Sequence, residues 1–147
     1  MAKPNHILEI SNLSVGLPKK ADRKFAVEKA NIKVRRGEVL CIVGESGSGK
    51  SVMTSAILND IAPGLSLLDG EVLFKGEDIL KLSNTELNKL RGSRISMIYQ
   101  EPMAALNPSV RIGKQVEEVF KLHRPEVSRK ERYKETLQLF AQMKLPS

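Results

Sequence analysis

The stretch Gly44-Glu45-Ser46-Gly47-Ser48-Gly49-Lys50-Ser51 satisfies the pattern G-x-x-x-x-G-K-[ST] in full. Gly44, Gly47 and Gly49 permit backbone conformations closed to other residues, so successive N–H groups can turn inward and ring a phosphate. Lys50 adds an ammonium within reach of β- and γ-phosphates, and the Ser51 hydroxyl is a ligand of the kind Mg²⁺ takes. Glu45, Ser46 and Ser48 fill the remaining positions, so residues 44–51 together are the candidate cradle for a nucleoside triphosphate. The plain alternative is a Gly/Ser-rich turn carrying a chance lysine, and the flanking elements decide between the two.

Those elements have the required order. Val39-Leu40-Cys41-Ile42-Val43 is a continuous apolar run, the pattern of a strand buried on both faces of a sheet, and it feeds directly into the loop. From Ser51 to about Ile61, Val52, Met53, Ala56, Ile57 and Leu58 recur at helical spacing until Pro63-Gly64 stops them. The positive end of that helix adds to the cradle. Upstream, Ile7–Val15 and Ala26–Val34 read as strands joined by a polar loop over Leu17–Lys24. Downstream, Glu71–Phe74 and Ile79–Leu82 read as short extended pieces around Lys75–Asp78. Ser83 with Glu86 then forms a capping box for a helix over Asn84–Leu90. Ile95–Tyr99 is a second apolar run, delivering Gln100 into a loop that Pro102 and Pro108 keep out of regular sheet. Val110–Lys144 carries two amphipathic helices broken near Pro125.

The phosphate loop together with Met97-Ile98-Tyr99-Gln100-Glu101-Pro102-Met103-Ala104-Ala105-Leu106-Asn107-Pro108 closely resembles the ATP-binding subunits of ABC transporters. With the upstream Gly70–Ile79 segment, it looks most like the oligopeptide, dipeptide and nickel importers within that family. The resemblance implies an α/β fold: a P-loop NTPase core with an N-terminal antiparallel β subdomain over residues 1–108, and the beginning of a helical subdomain over 109–147. It implies ATP and Mg²⁺ as cofactors, and ATP hydrolysis coupled to transport. Gln100 becomes the glutamine that touches Mg²⁺ and the attacking water, so Lys50 and Gln100 are the catalytic candidates and Ser51 and Gln100 the metal ligands. Glu101–Asn107 would face the membrane subunits. The family places an aromatic ring against adenine. Leu17-Pro18 stands where related importers carry aromatics, which leaves Phe25, whose alternation with Val27 suits core packing equally well. The implied partners are a second ATP-binding subunit, transmembrane permease subunits and, indirectly, an extracytoplasmic solute-binding protein, with the chain peripheral on the cytoplasmic face of the membrane.

Other family parts do not occur. There is no Leu-Ser-Gly-Gly-Gln-type signature, no apolar strand ending in Asp-Glu after Gln100, and no later histidine set to contact the γ-phosphate. His6 and His123 read as surface residues, and Leu65–Asp69 reads as a turn before Gly70. The expectation is that the chain covers the nucleotide-binding half of a longer protein and does not turn ATP over alone. A P-loop small-molecule kinase or GTPase would need a Walker B aspartate within these residues, and Asn88-Lys89-Leu90-Arg91 breaks the guanine-reading Asn-Lys-x-Asp at its fourth position. A non-transport ABC ATPase remains the third reading.

Composition fits these readings. The 147 residues are 41% hydrophobic and 28% charged, enough for one ordinary globular core. No apolar run approaches the roughly 20 residues of a membrane-spanning helix, and the N-terminal residues lack the pattern of a secretory leader. Cys41, the one cysteine, reads as a small buried hydrophobe. The net charge of +7 comes from dispersed lysines and arginines, so no nucleic-acid partner is assigned.

Overall fold

Two long strands at the N-terminus build the sheet on which the loop region rests. The computed structural model of the chain describes residues 6–101 and 106–145. β1 (His6–Gly16) pairs antiparallel with β2 (Phe25–Arg35) on one side and with β3 (Ser66–Phe74) on the other. A two-residue β4 (Glu77–Asp78) completes the order β2-β1-β3-β4. Ile10, Leu13, Val15 and Val72 are fully buried on this sheet, each side chain contributing about 1.5–3 kcal/mol by leaving water. Bulges interrupt the β1 ladders between Ile10 and Val15. The buried Ser14 hydroxyl stays satisfied there, accepting from the Lys29 amide at 3.1 Å and donating to the Asn12 carbonyl at 3.3 Å. Gly70 sits in the left-handed region (φ +111°) with its Cα facing the β1 backbone, where a Cβ would lie 2.4 Å from Leu13 Cα.

α1 (Lys50–Ile57) packs Met53 and Ala56 inward and ends sooner than the apolar spacing predicts. Asn59 takes a left-handed conformation (φ 50°), and the Asp60 amide turns back to the Ser55 carbonyl, so the helix closes before Pro63 is reached. Residues 79–81 form a 3-10 turn rather than the expected extended piece. The Asp78 carboxylate accepts from the Leu80 amide at 3.1 Å, and that local bond favours a turn over sheet. Asp69 lies within β3, paired with Ser14, rather than in a turn. α2 (Asn84–Leu90) begins as expected, with the Ser83 amide and hydroxyl both donating to Glu86.

The two apolar runs depart from their expected strands. Residues 39–43 and 96–99 take no regular structure, and Val39 (95% exposed), Val43 (88%) and Ile98 (93%) face solvent. Cys41 is exposed rather than buried. The physical reason is pairing: a strand buried on both faces exists only with ladder partners at its edges, and no described strand lies beside either run. Ile95 makes a single isolated bridge, to Arg91.

The chain forms two compact units, Met1–Asn88 and Lys89–Ser147. The second is built on α3 (Ile112–His123) and α4 (Arg129–Gln142), in the places the amphipathic spacing gives. α4 opens with a full capping box between Ser128 and Glu131, and the hinge between the helices is held by Arg124, which donates to both carboxylate oxygens of Glu135. His123 is half-buried beside Gly92, and His6 lies 3.7 Å from Glu9 on the sheet.

Candidate phosphate-binding site

The loop over residues 44–49 closes around its own lysine. A turn bond from the Ser48 amide to the Glu45 carbonyl (3.2 Å) bends the backbone, and Gly47 (φ +78°) and Gly49 (φ +91°) take left-handed conformations that L-residues avoid. The Lys50 ammonium folds back into the bend, donating to the carbonyls of Gly44 (2.8 Å) and Glu45 (2.7 Å) and to the Ser48 hydroxyl (3.2 Å). A cation is thus centred within the ring of the loop, where a phosphate oxygen would meet it. The Ser48 side chain that Lys50 engages also crowds Gly44, whose added Cβ would lie 2.8 Å from the Ser48 hydroxyl oxygen.

Close approach of the neighbouring strand fixes the loop. A Cβ on Gly49 would lie 2.2 Å from the Ala26 carbonyl oxygen and 3.2 Å from Val27 Cγ2, so β2 sits directly against the point where loop becomes helix. Gly49 is the N-cap of α1 and provides no side-chain cap, and no acidic residue occupies the first turn. The helix N-terminus therefore keeps its positive end directed at the loop, the arrangement that favours an anion. Ser51 lies in that first turn, exposed.

A cleft of about 260 Å³ opens beside the loop, lined by Leu17, Arg23, Ala26, residues 47–51 and Val52. Of the expected site, residues 47–51 line this cleft, and Gly44 and Glu45 meet it only through the carbonyls that hold Lys50. Phe25 does not line it: it starts β2 opposite Gly16, half-buried, and the Lys24 ammonium stands 4.9 Å from its ring centroid. Gln100 is exposed in a bend of the second unit, and the cleft lining comes wholly from the first. Of the segment Glu101–Asn107, residues 102–105 lie outside the described residues. Asn107 is pinned by Gln115, which accepts from the Asn107 amide (3.0 Å) and donates to the carbonyls of Asn107 (3.0 Å) and Val110 (2.7 Å).

Arg23 was not singled out by sequence. It reaches from the β1–β2 loop to donate to the Gly47 carbonyl at 2.7 Å. A lone arginine in a polar loop gives no pattern to find; only the pairing of β1 with β2 brings it to the phosphate loop.

Among the described residues no three His, Cys, Asp or Glu side chains gather as a metal site. At the loop itself the exposed Ser51 hydroxyl is a ligand of the kind Mg²⁺ takes.

A family model described as ABC transporter matches residues 27–147. The chain is 40% identical over 140 residues to the dipeptide transport ATP-binding protein DppD of Lactococcus lactis, covering 95% of this chain and 40% of that protein. It is also 40% identical to the oligopeptide transport ATP-binding protein OppD of Salmonella typhimurium, covering 97% of this chain and 42% of the relative. Among solved structures, a dimeric bacterial ABC transporter cassette superposes with a TM-score of 0.76 at 26% identity, covering 95% of this chain and 58% of the cassette. The chain thus spans about two fifths of the length of these curated relatives. The glycine-bound lysine ring, the uncapped helix behind it and the cassette-like α/β P-loop NTPase fold agree with the family match, and the chain belongs to the ABC transporter family.

Proposed function

We propose that the chain binds Mg-ATP through residues 44–51 as part of an ATP-binding subunit that powers import of peptides or related small solutes. The observation that carries the reading is the Lys50 ammonium centred on the loop carbonyls at the uncapped start of α1. Lys50 would neutralise the β- and γ-phosphates, the amides of the loop would ring them, and Ser51 would ligate Mg²⁺. Gln100 is assigned to Mg²⁺ and the attacking water. Phe25 is the aromatic candidate for adenine, and stacking there requires the Lys24 side chain to leave the ring face. The solute class is supported by the dipeptide and oligopeptide transport relatives. Residues 1–108 would form the nucleotide-binding core and 109–147 the start of the helical subdomain, with Glu101–Asn107 toward the permease.

Pairing with a second ATP-binding subunit is supported by the dimeric cassette of the same fold. That subunit would supply the γ-phosphate clamp that these residues lack, with permease subunits and a solute-binding protein as further partners and the cytoplasmic membrane face as the location. On this reading the 147 residues bind Mg-ATP without sustained turnover. Calorimetric titration of Mg-ATP tests it. Saturable binding is expected, weakened at least about tenfold by Lys50→Ala and losing its Mg²⁺ dependence in Ser51→Ala. Binding indifferent to Lys50, or sustained Lys50-dependent hydrolysis by these residues alone, contradicts it.

A further inference from the structure

We propose that Arg23 is a second cationic ligand for the phosphate chain of the bound nucleotide, an assignment that rests on the nucleotide reading above. Arg23 and Lys50 are the two cationic side chains that line the cleft. The Leu17 amide bonds the Lys24 carbonyl at 3.0 Å, closing the base of the β1–β2 loop. Two residues further on, the buried Ala26 lies with its carbonyl against Gly49. The root of Arg23 is therefore held at the phosphate loop while its side chain, exposed, reaches over the cleft.

Its hydrogen bond to the Gly47 carbonyl is to a neutral acceptor, and among the described residues no carboxylate pairs with it. A guanidinium binds a phosphate oxygen more strongly than a neutral carbonyl, and two parallel N–H groups can engage two oxygens at once. Two cations and a helix N-terminus converge on one cleft, and among the described residues neither cation is ion-paired with a carboxylate, so an entering phosphate chain relieves their mutual repulsion. Arg23 then exchanges the Gly47 carbonyl for phosphate oxygens.

Calorimetric titrations of the intact chain with Mg-ATP, Mg-ADP and adenosine, on wild type, Arg23→Gln, Arg23→Lys and Lys50→Ala, test the assignment. Arg23→Gln is expected to weaken both nucleotides about tenfold, the scale of one exposed hydrogen bond to a charged group. Adenosine binding and the ligand-free melting temperature should be unchanged, and Arg23→Lys should fall between. Wild-type or tighter Mg-ATP binding by Arg23→Gln overturns the assignment, as does an equal loss for adenosine. If the Arg23→Gln variant binds normally while Lys50→Ala does not, Arg23 alone fails. If wild type shows no saturable nucleotide binding, the nucleotide reading fails and takes the assignment with it.

Discussion

Alanine at position 49 should destabilise the first unit more than alanine at position 47, although both glycines belong to the same loop. Each sits at positive φ, +91° and +78°, and holding an L-residue there costs about 1–2 kcal/mol. The two sites share that cost and the small offset from a stiffer unfolded chain. They differ in space. A Cβ at 47 meets nothing within 4 Å, whereas at 49 it lies 2.2 Å from the Ala26 carbonyl oxygen, which is backbone and cannot rotate away. Relief requires β2 and the start of α1 to separate, an overpacking cost of about 1–3 kcal/mol. Urea denaturation followed by far-ultraviolet circular dichroism should place Gly49→Ala about 1–3 kcal/mol below Gly47→Ala, a lower midpoint at similar slope. Equal stabilities within about 0.5 kcal/mol would refute the close approach of β2 to the loop.

Leu13→Ala should cost about 2–5 kcal/mol by the same denaturation measurement, since Leu13 is wholly buried between the two ladders of β1. Ser128→Ala should cost about 1 kcal/mol and lower the helicity of α4, read by circular dichroism, because the Ser128 hydroxyl accepts from the Glu131 amide at 3.3 Å. The Ser128 hydroxyl and amide hold Glu131 below its ordinary carboxylate range. The unfolded chain therefore binds that proton more readily, so the contribution is present above the ordinary value of 4.5 and lost as pH falls through the lowered one. Glu131→Gln should flatten that acid limb in a pH titration of α4 helicity, and an unchanged limb would contradict the capping box as its source.

How much could be read in advance depended on where each element finds its partners. The phosphate loop was legible because its chemistry is local: Gly47, Gly49 and Lys50 act through backbone freedom and one side chain within eight residues. The cap at Ser83 was legible for the same reason, whereas the Ser128–Glu131 capping box of α4 was not singled out in the sequence and comes from the structure. Residues 39–43 and 95–99 were misread because apolar run length reports a capacity for burial, while strand formation depends on a neighbour elsewhere in the chain. The C-terminal end of α1 was set by a left-handed Asn59 rather than by the more conspicuous Pro63-Gly64. Arg23 and the Gly49–Ala26 contact emerge only from the pairing of β1 with β2, which sequence spacing does not encode.

Residue-resolved amide hydrogen exchange over residues 44–51, with and without Mg-ATP, tests most directly whether the backbone N–H groups of this loop hold phosphates. Mg-ATP should slow exchange at the amides of the loop and the first turn of α1, Mg-ADP should do so partly, and adenosine should leave them unchanged. Unaltered exchange there under saturating Mg-ATP, or equal protection by adenosine, would contradict the assignment.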